Sequence, residues 1–477
     1  MDLSVAQGHR SDPGAGSTTS GTIDTVLVVA TGVVLALAAF GVYRLTYVDR
    51  FYDHFVWQAA AFLEGQAAIR YPVATTAERI GNWYFQDVLP IGRIDGIDRG
   101  LIPFPPLPAL LLIPFVAAYG LEADDQLLFT LLAAVDVAIC CWMIGRLRVA
   151  TVVRLGTTIF FAFGTVFWYT AQNTTTWYQA HIVAVGLTML AVGLALAADD
   201  EAPRRGWFDP RGSAAGLLLG LAATARLTVI LAAPLFVLVG PGRSPMGRDW
   251  WRRGWSVAIG AAIPVLALLA YNVASTGQAF HPAYDHLYQL EARAYTDLGY
   301  HRDWAAEDPR YLPQNLAIML FAGPEILPDR LRDTLGYLDE PLCTAPGASR
   351  ALFDRRCPLA LPRDVGMSVL LTSPAYLLAI PALFDRNRRR IVVASLVAIA
   401  LITVANLMHF SQGWVQFGYR FSNDTVPFAL VLMALGFARL VDRAPRPRWA
   451  MPLAVGLIVV SVAINWWGVM WGRLLGW

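Results

Sequence analysis

Asp49, Asp53, His54, Glu64, Glu78, Asp87, Asp95 and Asp98 crowd one polar stretch of a chain that is otherwise mostly hydrocarbon. The stretch lies between a first apolar run, about Ile23 to Val42, and a proline-broken apolar segment, Phe104 to Tyr119. Carboxylates on a wet loop beside a membrane suit general acid and base work, in which a positioned oxygen takes or gives a proton as a bond forms. Phe51 to Gly65 reads as an amphipathic helix, because Phe51, Phe55, Ala59 and Phe62 recur at helical spacing and Gly65 supplies a stop. Such a helix is expected to lie flat on the membrane surface. Its other side carries Asp53, Trp57 and Glu64 at i, i+4 and i+11, so two carboxylates and an indole share roughly one face.

Composition sets the elements that must hold these groups. The chain is 56% hydrophobic and 15% charged, with a mean hydropathy of +0.48. Repeated apolar runs near the length of a bilayer crossing imply an all-α, polytopic integral membrane protein, with about eleven to thirteen transmembrane helices. All 37 basic residues are arginine. The absence of lysine excludes Schiff-base chemistry and a P-loop phosphate site. A net charge of +2 gives no ground for a nucleic-acid partner. Exclusive arginine usage fits a GC-rich bacterial gene. Residues 1–22, rich in Gly, Ser and Thr without an apolar run, read as a disordered cytoplasmic tail, and the first span as a signal anchor.

Arginine clusters at Arg146 to Arg154, Arg204 to Arg211, Arg243 to Arg253, Arg386 to Arg390 and Arg439 to Arg448 mark the cytoplasmic side. The layout expected is a membrane module over 23–275 with a first outward loop at 44–103, an outward loop or lid at 276–365, and a C-terminal membrane module over 366–477. One conflict stands. The run 213–240 has arginines at both ends, which demands a hairpin of two half-helices broken near Arg226; counted so, the two large loops fall on opposite faces. Counted as one span, both loops face outward but two arginine clusters do as well. The segment 104–120 is short and holds Pro105, Pro106, Pro108 and Pro114, so a complete crossing there is doubtful on its own composition. Cys343 and Cys357, in the longest polar stretch, are equally compatible with one disulfide and with two free thiols.

Taken together, the first span, the acidic loop with Asp53-His54-Phe55 and Phe62-Leu63-Glu64-Gly65, the string Phe104-Pro105-Pro106-Leu107-Pro108, Gly216 to Arg226, and Gly418-Tyr419-Arg420-Phe421 with Pro427 resemble the GT-C membrane glycosyltransferases. The resemblance is strongest to bacterial relatives of the protein mannosyltransferases and of the lipid A aminoarabinose transferases. It implies transfer of a sugar from a polyprenyl-phosphate donor to a hydroxyl of a glycan, lipid or protein acceptor, at the outer face of the bacterial cytoplasmic membrane, with inversion at the anomeric centre. One carboxylate must take the acceptor proton, and cationic donors must hold the departing phosphate. The resemblance points to Asp53 as the base, with Asp49 one helical turn earlier as the alternate. Better-known members carry Asp-Glu where this chain has Asp53-His54. They also carry an acid and a lysine before the Pro-Pro, where Arg99 is the nearest substitute.

Arg420, among aromatics at the end of a span and beside Tyr419, is the stronger phosphate candidate; an ion pair with Asp424 at i+4 is its structural alternative. Arg99 has an equally ordinary alternative, a pair with Asp95 or Asp98. His54 reads either as a ligand for phosphate or a divalent metal or as a plain surface histidine, and Trp57 as a sugar contact. Asp285 and His286, in an aromatic segment of the long loop, join the substrate-binding candidates but make a poor zinc site, since adjacent residues point apart. Arg226 reads most simply as the cap of a broken helix. A transporter or flippase for a lipid-linked or anionic substrate remains the alternative, because it too would set arginine and acids at a membrane-embedded cavity lined by broken helices.

Overall fold

A backbone amide in hydrocarbon can be satisfied only within its own helix, so the long apolar runs wind up as helices. The computed structural model describes residues 17–49, 52–70, 87–199, 206–242, 247–294, 301, 303–334, 336, 338–442 and 447–477. Among them seven helices are long and apolar enough to cross a membrane, and four shorter apolar helices accompany them. The expected class, a helical multi-pass membrane protein, is borne out.

In chain order the helices are α1 (Ser17–Thr46), α2 (His54–Leu63), α3 (Leu107–Tyr119), α4 (Asp125–Gly145), α5 (Thr151–Phe163), α6 (Phe167–Gln172), α7 (Thr176–Asp199), α8 (Pro210–Ala223), α9 (Ala233–Leu238), α10 (Arg248–Thr276), α11 (Ala283–Ala294), α12 (Leu312–Phe321), α13 (Val369–Thr372), α14 (Arg389–Met408), α15 (Val426–Val441) and α16 (Ala450–Leu475). Tighter 3₁₀ turns run through Leu227–Ala232, Pro374–Phe384 and Arg420–Thr425. Helix α1 already begins at Ser17, earlier than the expected tail boundary at residue 22. Residues 1–16 and Glu78 lie outside the described residues.

One end of the bundle gathers arginine. Arg388 donates to the Leu147 carbonyl at 2.6 Å, Arg390 donates to the Gly242 carbonyl at 2.9 Å and pairs with Asp199, and Arg253 reaches the carbonyls of Pro241 and Gly242. The ends of α4, α7 and α9 and the starts of α10 and α14 therefore meet there. The run 213–240 folds as the hairpin its flanking charges demand. The Asp209 amide, at its start, donates to Ser256 Oγ at 2.8 Å, while Arg253 Nε donates to the Val237 carbonyl near its finish at 2.7 Å. Both limbs thus begin or end beside the first turns of α10, and the tip, Thr224 to Arg226, lies at the opposite end. Limb α8 packs backbone to backbone on α10 through Gly216 and Gly220, spaced at i+4: a Cβ on Gly216 would stand 2.1 Å from the Val257 carbonyl oxygen, and one on Gly260 only 1.9 Å from that of Ser213.

Helix α3 does not run the length of the bundle. It starts against the hairpin tip, where the Leu107 amide donates to the Thr224 carbonyl at 3.2 Å, and it leads into α4. The start of α4 is held at that same end by Gln179, which bonds both Asp125 and the Thr174 carbonyl.

The described part of the first loop contains a small sheet as well as α2. Strands β1 (Ile69–Arg70), β2 (Leu89–Ile94) and β3 (Ile97–Leu101) form an antiparallel sheet in the order β1-β3-β2, and Asp95 and Gly96 turn β2 into β3 with φ of 52° and 76°, the two-positive-φ turn that suits strand twist. The expected surface position of the helix at 51–65 is corrected: in α2, His54, Phe55, Val56, Gln58, Ala59 and Ala61 are buried. Its apolar residues are covered by α3 instead of lipid, and Gln58 donates to Tyr271 of α10 at 3.1 Å. After α10 a cap is built from α11, α12 and two short strand pairs, β4 (Glu325–Ile326) with β7 (Ala360–Leu361) and β5 (Arg330–Arg332) with β6 (Asp339–Pro341). Cys343 and Cys357 form a disulfide within it.

The glycine contact between α8 and α10 predicts that Gly216→Val forces the two backbones apart, costing about 1–3 kcal/mol and lowering the thermal unfolding midpoint in detergent. Gly41→Val, where a Cβ meets nothing within 4 Å, leaves the midpoint in place; equal losses at the two positions would refute the close-packing account.

Candidate active site

At the end opposite the arginine clusters, seven pieces of chain surround a cavity of about 320 Å³. They are the loop at Asp87, the Phe104-Pro105 corner, the first turns of α7, the hairpin tip from Ala225 to Thr228, the face of α11 bearing Tyr284 and Leu287, the stretch at Glu307, and the stretch from the end of α14 to Phe421. Its walls are aromatic and aliphatic with a few charged groups, the usual make-up of a small-molecule site.

The cavity is framed by one buried carboxylate. Asp424 accepts a forked pair from Arg226, Nε to Oδ1 at 3.2 Å and Nη2 to Oδ2 at 2.8 Å. Thr228 Oγ1 donates to it at 3.0 Å, Asn406 Nδ2 at 3.1 Å, and His181 Nδ1 lies 2.9 Å from Oδ1. An ionised carboxylate accepts only, so the His181 proton sits on Nδ1. The hairpin tip, α7 and α14 thus converge on one residue of the Arg420–Thr425 turn.

That convergence commits Asp424 to Arg226 and away from Arg420. Among the described residues its guanidinium makes no ion pair, and its Nε is buried without a hydrogen-bond partner. Its carbon lies 5.2 Å from the Tyr178 ring centre and 5.6 Å from that of Phe421. Gly413 is obligatory beside it, with φ of 92° and room for no Cβ, which would stand 2.7 Å from Arg420 Nη2. A guanidinium desolvated on aromatic faces and facing a cavity is arranged to receive an anion.

Asp87 is, with Glu307, one of two carboxylates on the cavity wall. Trp177 Nε1 donates to its Oδ2 at 2.9 Å, and its backbone has φ of 63°, a left-handed value that aspartate tolerates better than most residues. Burial pushes its pKa up to about 6, against the lowering effects of the Trp177 hydrogen bond and the Arg420 guanidinium. Glu307 and His409 form a second acid–imidazole pair on the wall, 3.1 Å apart, and this contact lowers the Glu307 pKa.

The sequence candidates fall into three groups. Arg420 lines the cavity. Asp53, Asp49, His54, Trp57, Tyr419, Asp285 and His286 are not among its lining residues. Asp53 precedes α2 without capping it, and its pKa is raised to about 6 by burial and then by Asp49; Asp49 is exposed near Tyr47. His54 is buried with Nδ1 2.9 Å from Thr176 Oγ1, and its ring packs on Trp57, Phe104 and Trp177; it backs the cavity wall and is no surface residue. Tyr419 is buried against Phe421. Asp285 and His286 flank the helix face that meets the cavity, and Tyr284 and Leu287 occupy it. The third group is Arg99, committed to the Ala68 carbonyl at 3.0 Å and to Glu64 at 3.5 Å. Its expected partners do not hold it, since Asp98 is taken by Arg93.

Asp424 and His181 were missed as site residues, and Asp87 was counted only as one acid among many. The usable signal for the first was that Arg226 is a lone cation between two apolar runs, which needs an acid from elsewhere in the chain. Among the described residues no group of three or more His, Cys, Asp or Glu side chains is placed to hold a metal ion. No family model, curated protein or solved structure matches the chain.

Asp424→Asn preserves shape but strands Arg226, with an expected loss of about 3 kcal/mol, the low end for a broken buried pair because Arg226 keeps some access to the cavity. Thermal unfolding should show this loss, and adding Arg226→Gln should recover part of it; strictly additive losses would refute the coupling.

Proposed function

We propose that the protein is a membrane glycosyltransferase of GT-C-like architecture, transferring a sugar from a polyprenyl-phosphate donor to an acceptor hydroxyl at the extracytoplasmic face of the bacterial cytoplasmic membrane. The observation that carries this reading is the presence, in one cavity, of a carboxylate with a raised pKa and a guanidinium that makes no ion pair among the described residues.

In this reading Asp87 is the base, in place of Asp53 or Asp49, which do not line the cavity. The acceptor oxygen attacks the anomeric carbon from the side opposite the phosphate; its proton passes to Asp87, the bond from anomeric carbon to phosphate oxygen breaks, and that electron pair leaves with the phosphate, whose charge Arg420 receives. Trp177 and Tyr284 supply ring faces and edges for the sugar.

Sidedness is supported by the chain path. With α3 confined to one end and the run 213–240 counted as two limbs, about eleven crossings bring the arginine clusters inside and both large loops outside. This removes the conflict in the charge pattern, which arose from counting α3 as a crossing. The disulfide in the cap fits an oxidising compartment. The hairpin broken at Arg226 favours a second reading, a transporter or flippase that moves the lipid-linked sugar intact.

Proteoliposomes loaded with radiolabelled polyprenyl-phosphate sugar and a crude envelope acceptor separate the two, since transfer frees polyprenyl phosphate whereas flipping leaves the donor whole. Asp87→Asn should cut turnover by about 10²–10⁴ while donor binding persists, and Asp53→Asn should retain turnover. The base must be ionised, so the rate falls as pH drops through about 6. Because the Arg420 charge lowers the Asp87 pKa, Arg420→Gln should move this acid limb to higher pH as well as weaken donor binding. Full activity in Asp87→Asn would sink the assignment.

A further inference from the structure

We infer that the cap edge made by the end of α12 and strand β4 inserts into the lipid leaflet at the cavity end of the bundle, with Phe321, Ile326 and Leu327 among the acyl chains. Phe321 is 76% exposed and Ile326 65%, an exposure that water would penalise for neighbouring side chains of this size.

Continuity identifies lipid as the occupant. The Ser368 amide donates to the Ala322 carbonyl at 2.8 Å and Ser368 Oγ to the Leu320 carbonyl at 2.8 Å, which staples the end of α12 to the start of α13. Helix α13 then runs into the apolar 3₁₀ segment Pro374–Phe384, and the exposed side chains of both, Leu371 and then Ile380, extend the same apolar surface down the outside of the bundle. An apolar surface that leads from a membrane-facing segment to Phe321 and Ile326 belongs to the same solvent, and the exposed Glu325, next to Ile326 on β4, points to the opposite side of the strand.

Two local features agree. Leu327 is held at φ of 52°, a conformation costing a bulky L-residue roughly 1–2 kcal/mol, and its amide is pinned to the Leu359 carbonyl at 2.9 Å. The strained turn presents a leucine to the outside, which is of use only where the outside is apolar. Arg363 is exposed and anchored through Nε on the Gly323 carbonyl at 3.0 Å, which sets a cation beside the edge for lipid phosphates.

The inference does not depend on the transfer chemistry and is read without turnover. An environment-sensitive fluorophore placed on Ile326→Cys, and separately on Phe321→Cys, is reconstituted into phosphatidylglycerol–phosphatidylethanolamine vesicles. Unsubstituted protein serves as the labelling blank, because Cys140 and Cys141 are buried and Cys343 and Cys357 are joined. Blue-shifted emission, quenched by acyl-chain nitroxide lipids and hardly by iodide, is the expected result. Dominant quenching by iodide would show a water-facing edge, and protection from both quenchers would show a protein neighbour or a second copy; either overturns the inference.

Discussion

A charge in an apolar interior must find its opposite, and in this molecule the need is met at a single carboxylate. Asp424 takes the guanidinium from the hairpin tip, the imidazole from α7 and the amide from α14, so three elements far apart in sequence are registered against one another by one residue. An ordinary hydrophobic contact tolerates sliding, whereas a forked guanidinium–carboxylate pair fixes distance and plane. Removing either partner would leave a charge stranded, which is why the arrangement is a constraint on the fold more than a source of net stability.

The same residue explains why Arg420 remains open. In an α-helix, residues four apart lie on nearly the same face, and Arg420 would lean onto Asp424. Here the segment Arg420–Thr425 winds as a 3₁₀ turn, with three residues per turn, so the two side chains diverge by about 120°. Asp424 turns into the bundle and Arg420 toward the cavity. Asp87 does not collapse onto Arg420 either, because Trp177 ties one of its oxygens. Opposite charges kept in one cavity without closing an ion pair are available to a substrate that brings an anion and a proton to lose.

How much of this was legible follows from the range of each interaction. The hairpin at 213–240 could be read from flanking arginines, and the incomplete α3 from its prolines, since both are local signals. The hairpin turn at Asp95-Gly96 is equally local, with apolar Ile94 and Ile97 on either side, and there Asp95 is a turn residue more than a candidate charge. The burial of α2 was not local: an amphipathic period says that one side is covered, and whether by lipid or by α3 depends on residues some fifty positions away. The Arg226–Asp424 pair spans still more chain, and the i+4 alternative for Arg420 presupposed an α-helical turn that the backbone does not make.

The string Phe104-Pro105-Pro106-Leu107-Pro108 shows how a motif can be read by what it lacks. Proline carries no amide hydrogen, so Leu107 holds the only backbone donor between residues 105 and 108, and it is spent on the Thr224 carbonyl at the break of the hairpin. A break in an apolar helix frees carbonyls that water cannot reach, and some other segment must satisfy them. The proline run supplies one donor at the needed point, adds no competing donors, and presets the backbone to enter α3. Phe104 and Pro105, carried on the same rigid corner, form cavity wall beside Arg226. The corner therefore closes the hairpin tip and shapes the cavity in one stroke, and it follows directly on β3, whose neighbour β2 starts two residues after Asp87.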